Sequence, residues 1–260
     1  MKYYVIDTFT DTLFKGNPAG VCLLDHEIPS TMMQKTAFEN NLAETAFLLK
    51  MGDAYSLRWF TPEMEIDLCG HATLATAFVL MNYVDPKLET VCFETKSGIL
   101  TVTRNSGMYT MDFPSRMPVP AAAHPLLEKA LGCHVLETHL SRDMVVLVEN
   151  EETVANLDVD ISLLAQISKD LSFAVTVTAK GKSCDFVSRF FAPNAGVSED
   201  PVTGSAHSSL IPFWSRRLGK TAMTAKQLSP RGGTLFCEDR GERVNISGQA
   251  VCYLVGDITI

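Results

Sequence analysis

Long apolar runs are missing from this chain of 260 residues. The longest apolar stretch, residues 72–81, is much shorter than the roughly 18–20 residues of a membrane-spanning helix. Residues 1–9 carry Asp7, lack the apolar core of a signal peptide and have the pattern of a strand. We therefore expect a cytoplasmic protein that has no membrane as a partner.

Basic clusters are also missing, and the pair Arg216-Arg217 is the longest basic run. The chain has 22 basic and 30 acidic residues, which gives a net charge of −8. Such a protein repels phosphate backbones, so we expect no nucleic-acid partner. A small anionic substrate remains compatible with this charge, because a few local donors outweigh a distant net charge.

Paired cysteines are the third absence. The seven cysteines form no C-x-x-C motif, their number is odd, and no two Cys or His positions have the spacing of zinc ligands. We therefore expect no disulfide framework and no metal, and we expect most of the cysteines to be small buried hydrophobic residues.

Short strand-like segments fill both halves of the chain. Residues 70–82 are almost wholly apolar, which predicts a helix that is buried on all sides, and residues 207–217 are predicted to form a second buried helix. The proline-rich residues 113–123 are typical of a linker. Helical spacing predicts further helices at residues 30–40, 126–131 and 161–170.

The two halves repeat one pattern. The first half reads LRWFTP from Leu57 and CGHA from Cys69, and the second reads SRFFAP from Ser188 and TGSA from Thr203. Each half thus has an Arg-aromatic-Phe strand, a loop and the opening of an apolar helix. This repeat predicts duplicated α+β domains at residues 1–115 and 116–250, with a strand near 250–260 as a candidate to join the first.

The two helix openings are candidate anion sites. Unpaired N–H groups and the positive end of the helix dipole meet there, and Gly70 and Gly204 allow close approach of a ligand. His71 and Ser205 follow in the first turns. The alternative is that the glycines only ease the packing of the central helices.

Two acidic residues are candidate proton carriers. Glu44 precedes an apolar strand-like run, and burial there would disfavour its charged form, as suits a general acid/base. The alternative for Glu44 is a solvated side chain at a strand start. Asp200 precedes Pro201, so the chain is extended or turning where it approaches the second helix, and Asp200 could equally be a simple dipole-favoured acid.

Two further residues have uncertain roles from sequence. Asn17, in the loop Gly16–Gly20, is either a hydrogen-bond donor to a ligand or part of a tight turn. Cys69 precedes a helix, where the pKa of a thiol is expected to be lowered. The matching position in the second half is Thr203, so a pair of thiols does not exist, and Cys69 has either a catalytic role or only a packing role.

The chain resembles the PhzF family, the phenazine biosynthesis-like proteins of the diaminopimelate-epimerase fold. The resemblance spans the whole chain and depends on five motifs in order. They are Asp7-Thr8-Phe9, Gly16-Asn17-Pro18-Ala19, Asn41-Leu42-Ala43-Glu44-Thr45, Cys69-Gly70-His71-Ala72-Thr73-Leu74 and Glu199-Asp200-Pro201-Val202-Thr203-Gly204-Ser205.

This resemblance implies two pseudo-symmetric domains, each a β-barrel-like mixed sheet wrapped around a central helix, with the active site between them. It also implies a homodimer and an isomerase that moves a proton without a metal or organic cofactor. The family's catalytic residues fall on Glu44, His71, Asp200 and Ser205 of this sequence. The motif positions expected to bind substrate are Asn17, Gly70, Ala72, Thr73, Gly204 and Ala206.

The resulting hypothesis is an isomerase that shifts a proton on a small carboxylate-bearing metabolite, with Glu44 as the acid/base. The substrate carboxylate would dock on N–H groups near residues 70–72 and 204–206. Two alternatives stay open. One is an amino-acid-type epimerase, racemase or dehydratase that uses Cys69, and the other is a non-catalytic protein that binds a metabolite.

Overall fold

The computed structural model describes residues 1–52, 54–169 and 172–260. The chain divides into two compact units. Unit 1 consists of Met1–Asp112 and Ser247–Ile260, and unit 2 consists of Phe113–Ile246.

The strands follow the alternating and apolar segments of the sequence. They are β1 (Lys2–Thr8), β2 (Asn17–Leu24), β3 (Glu44–Met51), β4 (Ala54–Phe60), β5 (Glu65–Ile66), β6 (Thr90–Thr95), β7 (Gly98–Asn105), β8 (Met108–Pro114), β9 (Val119–Pro120), β10 (Glu137–Leu140), β11 (Met144–Leu147), β12 (Val175–Lys180), β13 (Phe186–Ala192), β14 (Val197–Asp200), β15 (Ala222–Gln227), β16 (Gly233–Asp239), β17 (Arg243–Gly248) and β18 (Ala250–Asp257).

The helices are fewer and mostly short. They are α1 (Ser30–Asn40), α2 (Gly70–Val79), α3 (Leu127–Leu131), α4 (Glu151–Ala155), α5 (Ile161–Ser168) and α6 (Gly204–Leu218). A π-helical turn, Leu80–Val84, continues α2, and a 3-10 turn covers Pro193–Ala195. None of the described helices combines the length and apolarity needed to span a bilayer.

Unit 1 is a mixed sheet packed on α2. β1 and β2 are antiparallel, β2 and β3 parallel, β3 and β4 antiparallel, β4 and β6 parallel, and β6 and β7 antiparallel. The chain returns to this sheet at its end, because β18 pairs with β1. Every residue of α2 except Phe78 is buried, and the helix contacts strands of the same sheet, including β1, β2 and β3.

Unit 2 repeats this order. β10 and β11 are antiparallel, β11 and β12 parallel, β12 and β13 antiparallel, β13 and β15 parallel, and β15 and β16 antiparallel. The helix α6 has the position along the chain that α2 has in unit 1, and most of its residues are buried. The predicted fold of two pseudo-symmetric domains, each a mixed sheet around a central helix, is therefore confirmed.

The repeat extends to two ion pairs. Arg58 on β4 makes two hydrogen bonds of 2.7 and 2.9 Å to Glu65 on β5, and Arg189 on β13 makes two of 2.7 and 2.8 Å to Glu199 on β14. Each guanidinium also lies 5.2 Å from the centre of the phenylalanine ring two residues further along its strand. The same combination of an Arg–Glu ion pair and a nearby phenylalanine ring therefore holds the loop before each central helix.

The predicted helices differ from the observed ones mainly at their ends. The helix predicted at 70–82 ends at Val79, because the chain widens into the π-helical turn. The helix predicted at 161–170 is described as Ile161–Ser168, and Asp170 lies outside the described residues. The predicted linker at 113–123 contains β9, which pairs with β10.

Candidate active site

Glu44 is the first residue of β3 and pairs in register with Ala19 of the parallel strand β2. The chain reaches it from α1 through Asn41, which ends that helix in the left-handed conformation with φ of 49°. The Glu44 side chain is only 14% exposed. The expected burial, which follows from the apolar residues of β3, is therefore observed.

Cys69 and His71 lie at the opening of α2. Cys69 is the extended residue that precedes the helix, and His71 is buried in the first turn. Thr73 lies one turn further on, where its hydroxyl and its N–H both donate to the Cys69 carbonyl, at 2.5 and 3.2 Å. Of the backbone donors predicted here, the N–H of Thr73 is therefore engaged within the helix.

The ring of His71 connects Glu44 with Cys69. Its Nε2 lies 3.0 Å from Oε2 of Glu44, and its Nδ1 lies 3.5 Å from Sγ of Cys69. Among the described residues, neither Nε2 of His71 nor Oε2 of Glu44 has a hydrogen-bond partner, so the 3.0 Å separation is a close polar contact between them. A carboxylate, an imidazole and a thiol thus form a continuous buried row, which is suited to holding and moving a proton.

The row has a defined protonation pattern. Burial opposes the charged form of His71, but Cys69 and the carboxylate of Glu44 together raise the pKa of His71 well above its ordinary value. Burial, followed by the charge of Glu44, raises the pKa of the Cys69 thiol. These directions favour a protonated His71 beside Glu44 and a protonated thiol at Cys69.

This pattern corrects one expectation about Cys69. Its position before a helix predicts a lowered pKa, and the Ala72 N–H and His71 do act in that direction. Burial and the neighbouring Glu44 carboxylate outweigh them, because both disfavour a second negative charge. The predicted activation of the thiol by the helix end is therefore wrong.

The same three side chains could offer ligand atoms to a metal. One ligand atom from each of Glu44, Cys69 and His71 lies within 4.8 Å of the others. Sequence spacing did not reveal this group, because Glu44 comes from a different element. An ion bound here would have to displace the protons of Cys69 and His71, so its binding would depend on pH.

At the opening of α6, in unit 2, Thr203 precedes the helix. Its hydroxyl donates a short hydrogen bond to Oδ2 of Asp200, the last residue of β14. The side chain of Gln227 accepts from the Thr203 N–H at 2.9 Å and donates to the Asp200 carbonyl at 2.6 Å. Thr203 and Asp200 are thus held together by Gln227, a residue that sequence reasoning missed.

Ser205 lies in the first turn of α6, and its hydroxyl accepts a hydrogen bond of 3.1 Å from Nη2 of Arg142. Arg142 also makes two hydrogen bonds of 2.9 Å to Asp143, which is buried. Sequence reasoning missed both residues. The sequence feature that could have revealed them is an Arg-Asp pair in a short turn, directly before the apolar strand β11.

The remaining predicted residues are buried in their own units. Asn17 begins β2, and its carbonyl accepts from the hydroxyl of Thr8 at 2.9 Å. Gly70 and Ala72 open α2, while Gly204 and Ala206 open α6. The side chain of Ala206 packs in an apolar cluster that includes Ala174.

Strand register relates Glu44 to Ala174. In unit 1, Thr45 pairs with Phe60, and in unit 2, Val175 pairs with Phe191 of the repeated motif. Glu44 is the residue before Thr45, and Ala174 is the residue before Val175. Unit 1 therefore has a carboxylate, Glu44, at this strand start, and unit 2 has an alanine at the corresponding position.

Solved structures place this architecture among known folds. A PhzF family protein from Enterococcus faecalis superposes with a TM-score of 0.97 at 49% identity, over 100% of this chain and 99% of that one. A probable proline racemase from Agrobacterium radiobacter gives a TM-score of 0.67 at 12% identity, over 100% and 93% of the two chains, and shows the fold alone. The fold is that of the PhzF and epimerase-like proteins.

The chain belongs to the PhzC-PhzF family of phenazine biosynthesis-like proteins, whose family model matches residues 6–256. An uncharacterized isomerase of Pseudomonas aeruginosa is 48% identical over 99% of this chain and 98% of its own length. The human phenazine biosynthesis-like domain-containing protein is 39% identical over 100% of this chain and 99% of its own length.

Proposed function

We propose that the protein is a cofactor-independent isomerase that moves a proton on a small carboxylate-bearing metabolite, with Glu44 as the general acid/base. The observation that carries the proposal is the contact of 3.0 Å between Oε2 of Glu44 and Nε2 of His71. Family membership and the names of relatives, which include uncharacterized isomerases, support the reaction class.

In the proposed first step, Glu44 removes a proton from a carbon made acidic by a neighbouring carboxyl or unsaturated group. The C–H bond breaks, the proton moves to a Glu44 oxygen, and the electron pair enters the π-system of the substrate. The positive end of α2 stabilises the negative charge that develops there.

In the second step, Glu44 exchanges the acquired proton with solvent and returns a proton to a different carbon, so the product is an isomer and no oxidant or reductant is needed. His71 supports both steps. Its Nε2 lies 3.0 Å from Oε2 of Glu44 and orients the carboxylate for proton removal. One carboxylate serves as base and then as acid.

Two observations favour this one-carboxylate mechanism over a mechanism with two thiols. The position that matches Cys69 is Thr203, whose hydroxyl is occupied by Asp200. The raised pKa of Cys69 also keeps the one available thiol protonated. Asp200 and Ser205 enter the proposal on the family resemblance alone, which assigns both to the catalytic residues.

The test is solvent-deuterium incorporation into a library of small unsaturated and amino carboxylates, followed by NMR in D₂O. We expect at least one compound to take up deuterium with the wild type. Glu44→Gln should abolish uptake while ligand-observed NMR still detects binding. Glu63→Gln, which removes the same charge from an exposed position of unit 1, is the control and should behave as the wild type. Full exchange in Glu44→Gln refutes the role of Glu44.

A further inference from the structure

We propose that Arg142 binds the carboxylate of the substrate, together with the hydroxyl of Ser205. This inference rests on the proposed function and names the residue that selects an anionic substrate. The group that carries it is Arg142, Asp143 and Ser205, all in unit 2.

The guanidinium of Arg142 is held rigidly. Nε and Nη2 lie 2.9 Å from the two carboxylate oxygens of Asp143, and Nη2 also lies 3.1 Å from Oγ of Ser205. The central carbon of the guanidinium lies 4.9 Å from the centre of the Phe173 ring. Such fixation reduces the entropy that an arginine loses when it binds a ligand.

The group still has donors to offer. A guanidinium has five N–H donors, and the three contacts above use those of Nε and Nη2. The two on Nη1 have no partner among the described residues, and the side chain is 32% exposed, against 2% for Asp143. Because Ser205 accepts from Arg142, its own O–H remains able to donate. Adjacent N–H and O–H donors match the two oxygens of a carboxylate.

The fold itself does not require this ion pair. Val175 of unit 2 has the register position that Thr45 has in unit 1. Val175 pairs with Met144, and Thr45 pairs with Gly20. The two residues before Met144, Arg142-Asp143, therefore correspond to Pro18-Ala19. Unit 1 therefore builds the equivalent strand start with two uncharged residues. A buried carboxylate carries a desolvation cost, and here it compensates and orients one arginine.

The local charge also argues for an anion. The protein has a net charge of −8, so an anionic substrate needs a local cation to bind. Arg142 presents its guanidinium donors at the first turn of α6, where the positive end of the helix dipole also favours an anion. Both effects favour a carboxylate over the matching neutral amide.

The experiment measures the binding of benzoate, 2-aminobenzoate and fumarate, each against its carboxamide, by ligand-observed NMR and calorimetry. Arg142→Gln alone would leave Asp143 buried without its partner. The informative variant is therefore Arg142→Gln combined with Asp143→Asn, with Arg142→Lys as a second variant that keeps the charge. The control is Arg216→Gln, which is exposed near the far end of α6.

We expect the wild type and Arg216→Gln to prefer at least one carboxylate over its amide, and the double variant to bind that carboxylate about tenfold more weakly or worse. Arg142→Lys should bind with intermediate strength, because its point charge lacks the fork geometry. Equal binding by the wild type and a folded double variant overturns the proposal. So does a wild type that shows no preference for any carboxylate.

The two proposals fail in different ways. If Glu44→Gln keeps full exchange while the double variant loses carboxylate binding, the acid/base role is wrong and the anion site stands. If the double variant binds normally while Glu44→Gln loses exchange, the reverse holds. Circular dichroism and thermal melting establish that each variant is folded before either comparison is made.

Discussion

Nε2 of His71 lies 3.0 Å from Oε2 of Glu44, and this contact joins the first turn of a buried helix to the first residue of a strand. The raised pKa of His71 favours the charged form of its ring beside Glu44. It has two consequences, one for stability and one for the chemistry of the neighbouring thiol.

The first prediction concerns stability. Because the pKa of folded His71 is raised, its charged form stabilises the fold fully below the ordinary pKa of about 6.5. That contribution is lost as the pH rises through the folded-state pKa. The difference in melting temperature between the wild type and His71→Asn should therefore be larger at pH 6 than at pH 9.

The matched control is His134→Asn. His134 also contacts a carboxylate, that of Glu128, but its side chain is 78% exposed, and such pairs contribute little. Its melting temperature should stay close to that of the wild type throughout. A difference for His71→Asn that grows towards pH 9 contradicts the assignment of a charged His71.

The second prediction concerns the thiol. Since Cys69 is buried and keeps its proton, Cys69→Ser should retain most of the deuterium exchange, and a thiol reagent should label Cys69 slowly. The exposed Cys92 should react first, and Cys92→Ser is the control for labelling. Loss of exchange in Cys69→Ser, with protection from the reagent by substrate, favours the epimerase or racemase alternative instead.

Much of the fold was predictable because its signals are local. The apolar character of α2 and α6 predicted two buried helices, and the repeated Arg-aromatic-Phe motif predicted the duplication. The short elements β5, β14 and α4 escaped prediction. Their formation depends on partners such as β4 and β13, and a strand as short as Glu65–Ile66 has no periodicity to detect.

The site was predictable only in part. The positions of Glu44 and His71 followed from motifs, but their direct contact joins residues that only the fold brings together. The pKa of Cys69 was predicted in the wrong direction, because the sequence shows the helix end but not the burial of the thiol or its closeness to Glu44. Gln227 and Arg142 were missed, since each acts through hydrogen bonds to residues distant in the sequence.

The third prediction concerns metal ions. The ligand-type atoms of Glu44, Cys69 and His71 lie close together, but an ion has to displace protons from two of them. We expect dialysis against a chelator to leave deuterium exchange unchanged, with no stoichiometric metal found by elemental analysis. Loss of exchange on chelation, with recovery on addition of Zn²⁺, refutes the cofactor-independent mechanism.

The fourth prediction concerns His207, a buried residue of α6. Its Nδ1 lies 2.8 Å from the Thr203 carbonyl, which can only accept, so Nδ1 carries the proton. Its Nε2 is buried without a partner among the described residues. Burial lowers the pKa of His207 to about 4, and the hydrogen bond to Thr203 only partly opposes this. His207 is therefore neutral in the folded protein at neutral pH.

The sign of its effect on stability follows from that lowered pKa. The unfolded chain takes up a proton at His207 below about pH 6.5, whereas the folded protein resists protonation down to about pH 4. The free energy of unfolding should therefore fall on acidification through this range, by about 3 kcal/mol from this residue, since each pH unit of separation corresponds to about 1.4 kcal/mol. Urea unfolding of the wild type and His207→Asn at several pH values measures the effect.

In His207→Asn, the amide group can donate to the Thr203 carbonyl but cannot titrate. The variant loses the ring contact with Phe186, so it should be less stable at pH 7, yet its stability should fall less steeply between pH 6.5 and 4. The exposed His26, replaced by Asn, should leave the slope of the wild type unchanged. Equal slopes for the wild type and His207→Asn would mean that His207 takes up its proton in the folded protein as readily as in the unfolded chain, which its complete burial beside Phe186 opposes.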